Sequence, residues 1–158
     1  MFYLPPEEFW YLTATKIAAY FDDNQCGSGT GFFVYDESQY FLVTARHVVD
    51  PKYLPPSKKR HANCNKLEIF FQSAVNPGTS SATVAYQGLR VDDPSFCFAI
   101  NEVDVAAIKI PSDFLPVVNK NKVVRPFSFS INYLATNEDF SFRYAGEPLV
   151  FIGYPDNS

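Results

Sequence analysis

Turn signals cut this chain into short apolar runs, and that spacing leaves room for strands and little else. Asp22-Asp23-Asn24-Gln25, Asp36-Glu37-Ser38-Gln39, Asn76-Pro77-Gly78, Asp92-Asp93-Pro94 and Gly146-Glu147-Pro148 are clusters of turn formers. Between them lie runs that read as strands: Thr30 to Tyr35, Tyr40 to Thr44, Lys66 to Ser73, Ala82 to Val91, Phe96 to Ile100, Val103 to Ile110 and Leu149 to Ile152. Short strands at intervals of roughly 8–12 residues predict an all-β antiparallel sandwich or barrel. Twelve prolines argue against long helices. Sixteen Phe and ten Tyr suit pleated, half-buried surfaces.

The remaining segments are less regular. Pro5 to Leu12 reads as a short helix, with Glu7 and Glu8 at the positive end of its dipole. Thr13 to Phe21 is open to helix or strand, and alternation at Ile17, Ala19 and Phe21 favours a strand. Asp50 to Asn65 reads as a loop, and Gly88 as a candidate bulge. Phe114 to Tyr133 lacks periodicity and reads as a connection, and Thr136 to Asp139 as one capped helical turn.

Charge and cysteine usage narrow the function classes. The formal charge is 13 − 17 = −4, so a nucleic-acid partner is not expected. The cluster Lys58-Lys59-Arg60-His61 reads as a solvated loop rather than a docking patch. No apolar run approaches the ~20 residues of a membrane-spanning helix, and no secretory signal is visible. Cys26, Cys64 and Cys97 are an odd set, which favours free thiols and a reducing, cytoplasmic compartment.

Two residues stand out chemically. His47 follows the apolar run Phe41-Leu42-Val43-Thr44, where a chain that bends can present a side chain. A neutral imidazole accepts a proton near pH 7. Asp104 opens the run Asp104-Val105-Ala106-Ala107-Ile108-Lys109-Ile110. In a strand it shares a face with Ala106, Ile108 and Ile110, so its carboxylate is expected on the apolar side. A buried carboxylate needs donors, and a histidine N–H is a natural one. The plain alternatives are a structural histidine and an aspartate that caps its own turn.

Four motifs in order carry a family resemblance: Gly27-Ser28-Gly29-Thr30-Gly31-Phe32-Phe33-Val34, Leu42-Val43-Thr44-Ala45-Arg46-His47-Val48-Val49, Asp104 to Ile110, and Gly146-Glu147-Pro148-Leu149-Val150-Phe151-Ile152-Gly153-Tyr154-Pro155. Together they resemble the landmarks of trypsin-like (chymotrypsin-fold) serine peptidases of bacterial type, over roughly Thr13 to Pro155. The resemblance implies an antiparallel β-barrel. Residues 1–12 would form the N-terminal helical segment and 13–112 the first barrel. Residues 113–145 would connect the barrels, and 146–158 would begin a second, incomplete one. It implies His47 as general base and Asp104 as the residue that orients it, with a protein or peptide as substrate and no cofactor.

The sequence also departs from that pattern. The family's nucleophile sits in a Gly-x-Ser-Gly-type loop, which is not found here. Ser112, Ser128, Ser130 and Ser141 lack flanking glycines, and Ser28 belongs to the hairpin motif. The oxyanion donors and the main specificity pocket belong to the same missing part. The 158-residue chain alone is therefore expected not to hydrolyse peptides. Two alternatives remain: a non-catalytic protein-binding module, with a partner on the face a second barrel would cover, or a barrel completed by another chain. Weaker signals fall away. His61 and Cys64 supply two zinc ligands where a structural site needs four. Cys64 lies in the wrong context for a thiol nucleophile. The Gly-Ser-Gly-Thr-Gly string precedes a strand, not the helix of a phosphate loop.

Overall fold

The computed structural model describes residues 12–37, 39–50, 53, 64–77, 79–80, 83–99, 103–111 and 124–134. Nine strands form one mixed, mostly antiparallel sheet. They are β1 (Ala14–Phe21), β2 (Asn24–Asp36), β3 (Gln39–Thr44), β4 (Lys66–Val75), β5 (Thr83–Asp92), β6 (Phe96–Phe98), β7 (Ala106–Lys109), β8 (Val124–Pro126) and β9 (Ser128–Ser130). One helical turn, α1 (Arg46–Val49), follows β3. The order along the sheet is β5-β4-β1-β2-β3-β7-β6. All-β architecture follows, as the turn spacing predicts. The helix expected before Leu12 lies outside the described residues, as do the motif at 146–158 and the turn at 136–139.

The core is built by alternation. Along β4, Leu67, Ile69, Phe71, Ser73 and Val75 are buried, and the residues between them are half-buried. Leu67, Ile69 and Phe71 share a core with Ile17, Ala19, Phe33, Leu42 and Ile108 from four other strands. Phe33 and Phe71 pack edge to face at 5.1 Å between ring centroids. Ser73 is the polar exception on that face, and its hydroxyl donates to the Ala85 carbonyl at 3.3 Å. Each large apolar side chain buried this completely contributes about 1.5–3 kcal/mol.

The turns use a consistent device. Asp22, Asn76 and Asp93 take φ of 54°, 49° and 47°, the left-handed region that short polar side chains tolerate best. Glu37 adopts the same conformation at φ 49° without that advantage. Gly88 is not a bulge: β4 and β5 pair in unbroken register, with Gly88 opposite Phe70. The irregularity lies at Cys26, where Ala19 opposes Gly27 and Tyr20 opposes Gln25, leaving Cys26 as the extra residue.

The two ends of the sheet, β5 and β6, are consecutive in the chain. Residues 93–95 join them: Asp93 N–H donates to Asn65 O at 2.9 Å, and Lys109 N–H donates to Ser95 O at 3.3 Å. Among the described residues no ladder joins β5 to β6 or β7, so the sheet is not closed by pairing. The segment read as a connection is partly ordered into strands. β9 runs parallel to β2, and β8 pairs with β4. Phe129 packs edge-on against Phe32 at 5.7 Å.

Candidate active site

β3 and β7 are antiparallel neighbours, with Thr44 opposite Ala106. The residues just after β3 and those just before β7 therefore emerge at the same end of the sheet. His47 lies three positions beyond Thr44, and Asp104 two positions before Ala106. That register brings together two residues 57 positions apart.

Local bonding shapes each side. The Thr44 hydroxyl donates to Thr30 O at 2.8 Å and pins the end of β3 to β2. Ala45 stays extended, then Val48 N–H donates to Ala45 O at 3.1 Å and Asp50 N–H to Arg46 O at 2.8 Å. This single turn buries Val48 and Val49 and leaves His47 outside. Val48 sits directly on the glycine-rich part of β2. A Cβ on Gly29 would lie 2.5 Å from Val48 Cγ2, and one on Gly27 would overlap the Val48 carbonyl oxygen. None of Gly27, Gly29 or Gly31 takes a left-handed φ. Gly27 and Gly29 thus provide space for α1, and Gly31 provides space for the Val43 carbonyl oxygen and the Ile17 side chain.

On the other side the chain bends before the ladder begins. Val105 N–H donates to Val103 O at 2.8 Å, and Ala99 N–H to Val105 O at 3.1 Å. Asp104 is the apex of that bend, not a strand residue. Its side chain is 42% exposed, so the expected burial on the apolar face is corrected. The alternation argument fails because β7 starts only at Ala106.

The Asp104 carboxylate grips His47 at two points. Oδ1 accepts the His47 backbone N–H at 2.9 Å, and Oδ2 lies 2.7 Å from the ring Nδ1. A carboxylate only accepts at neutral pH, so this contact assigns the proton to Nδ1 and leaves the Nε2 lone pair available. The imidazole is 46% exposed and open to an incoming group.

Arg46 completes the neighbourhood, and sequence alone does not single it out. Its Nε donates to Asp50 Oδ2 at 2.9 Å. Its guanidinium lies 4.9 Å from the Tyr53 ring centroid and 4.5 Å from that of Phe98. The i, i+4 spacing of Arg46 and Asp50 was the available signal. The aromatic partners left none.

The other candidates are dispersed. Ser28 lies within β2 opposite Ala18, Ser73 is buried, and Ser128 and Ser130 lie in β9. Cys26, Cys64 and Cys97 are in no disulfide, with Cys64 buried and Cys97 exposed. Among the described residues, no group of three or more His, Cys, Asp or Glu side chains is placed to hold a metal ion. His61 and the basic cluster around it lie outside the described residues. No described helix is long and apolar enough to cross a membrane.

No family model, curated protein or solved structure matches this chain.

Proposed function

We propose that this chain carries the proton-transfer half of a trypsin-like serine endopeptidase site, acting on protein or peptide substrates. The observation that carries the reading is the two-point hold of Asp104 on His47. It orients the ring and selects the tautomer that general-base chemistry needs. The sheet order supports it as well. With β5 and β6 taken as two arms of one strand bent at 93–95, the order is that of a six-stranded antiparallel barrel opened at that corner.

In this reading a serine hydroxyl gives its proton to His47 Nε2 while its oxygen attacks the peptide carbonyl. Asp104 stabilises the imidazolium that forms. The imidazolium then protonates the departing amine, and water repeats the cycle on the acyl-enzyme. The serine and the oxyanion donors come from residues outside this sequence.

Fluorophosphonate labelling of the protein isolated from its source, read by mass spectrometry, tests the proposal. The expected result is one serine adduct outside residues 1–158, abolished by His47→Ala. Asp104→Asn should slow labelling by roughly three to four orders of magnitude. An adduct that forms equally well in His47→Ala, or no adduct on the native protein, overturns it.

A further inference from the structure

The geometry points to Arg46 as the positioning residue for His47. The inference rests on the His47–Asp104 reading above and adds to it what holds the pair in register. Both partners of that pair are more than 40% exposed, so water screens their attraction and competes for their hydrogen bonds. Two hydrogen bonds open to water orient the ring only while α1 stays seated against Asp104. Something else must hold α1 against the hairpin that carries Asp104.

Arg46 is built for that task. It precedes His47 directly, yet its own side chain is only 24% exposed. Asp50, which takes its Nε–H, is nearly buried at 8%. Asp50 also closes the turn through its N–H to Arg46 O, and its carbonyl accepts Tyr53 N–H at 3.0 Å. Tyr53 in turn places its ring against the guanidinium. These contacts form a closed local loop around one cation.

The guanidinium also meets the ring of Phe98, on β6. Phe98 pairs with Ala106 of β7, two residues past Asp104, and its ring stacks on Phe96 at 5.9 Å and 8°. The cation–π contact thus ties the turn bearing His47 to the hairpin bearing Asp104. Arg is suited to this because a planar guanidinium stacks on rings while its edge bonds a carboxylate.

The test is nitrogen-15 NMR of the imidazole. The chain has only two histidines, so His61→Ala assigns the signals. The native neutral ring should be mainly the Nδ1–H tautomer. Arg46→Ala should lower the ratio of Nδ1–H to Nε2–H about two- to fivefold, the scale of a half-exposed pair. Arg46→Lys keeps the charge but not the planar stacking group, and should restore only part of it. Phe98→Leu removes the aromatic contact from β6 at an exposed position and should shift the ratio in the same direction, which decides the matter should Arg46→Ala not fold. A loss of thermal stability in these variants with no change in the tautomer ratio overturns the positioning role. Asp104→Asn is the control. If it too leaves the ratio unchanged, the His47–Asp104 reading fails; if it alone changes the ratio, only the role of Arg46 fails.

Discussion

Gly29 lies so close beneath Val48 that one added methyl would stand 2.5 Å from Val48 Cγ2. Gly27, two residues earlier, faces the Val48 carbonyl oxygen instead. The two glycines therefore make different demands on the same residue. Gly29→Ala should cost about 1–3 kcal/mol through overpacking. Val48→Ala should relieve much of that cost, giving a coupling of about 0.5–3 kcal/mol in a double-mutant cycle. Gly27→Ala strikes backbone, so Val48→Ala should give it no relief. Denaturant unfolding of the three single and two double variants, beside the native chain, measures both cycles. Equal coupling in the two would mean that α1 does not rest on these glycines as described.

The exposure of the His47–Asp104 pair separates its chemical role from a structural one. Half-exposed ion pairs contribute about 0–1 kcal/mol. Asp104→Asn should then lower the melting temperature by no more than about 2–4 °C. The Asn carbonyl can still accept the His47 backbone N–H. Its amide, however, donates toward Nδ1, which forces the proton to Nε2 and removes the available lone pair. Fluorophosphonate reactivity should collapse while thermal stability barely moves. A large drop in melting temperature would instead make the pair a structural bond.

Glu37 stands at φ 49° in the β2–β3 hairpin, opposite to what its side chain prefers. A left-handed conformation costs an L-residue about 1–2 kcal/mol, and glycine avoids that cost at some loss of chain entropy. Its backbone carbonyl accepts the Tyr35 hydroxyl, a bond that a side-chain change does not remove. Glu37→Gly should raise the melting temperature by about 2–4 °C. Calorimetry that shows no gain would place the strain elsewhere in the hairpin.

The strands were legible in sequence because each depends on short-range pattern, whereas the pairing of His47 with Asp104, 57 positions away, was expected from the order of the motifs. Along β4 the buried residues Leu67, Ile69 and Phe71 alternate with half-buried ones, whereas in β1 Ala18 is buried beside Ile17 and Ala19, and Phe21 is exposed. What sequence hid depends on distant partners or on where a ladder starts. Asp104 was assigned to the apolar face by parity, but the bend at Val103–Val105 breaks the alternation before β7 begins. The glycines were legible as unusual but not as a seat for Val48, which arrives from another element. Beyond its i, i+4 spacing to Asp50, Arg46 gave no signal, because Phe98 reaches it through the fold. β8 and β9 have three residues each, too few for any period to register.

Cys64 sets a limit on alkaline stability. It is buried, and its thiol contacts the Lys66 carbonyl oxygen at 3.1 Å. Burial pushes its pKa up from 9.0, and the nearby Cys26 thiol adds to the rise. Tyr40 is pushed up from 10.0, again chiefly by burial. A group whose folded pKa is raised keeps its full contribution below the unfolded value and loses it as pH rises through the folded one. Stability should therefore decline from about pH 9 upward as unfolded chains ionise these groups first. Cys64→Ala should flatten the fall in melting temperature between pH 8 and pH 10, and Tyr40 should maintain the rest. At pH 8 a thiol reagent should modify exposed Cys97 well before Cys64 in the native protein, because only a solvated thiolate reacts. Equal labelling rates, or an alkaline decline as steep in Cys64→Ala as in the native chain, would contradict the burial of this thiol.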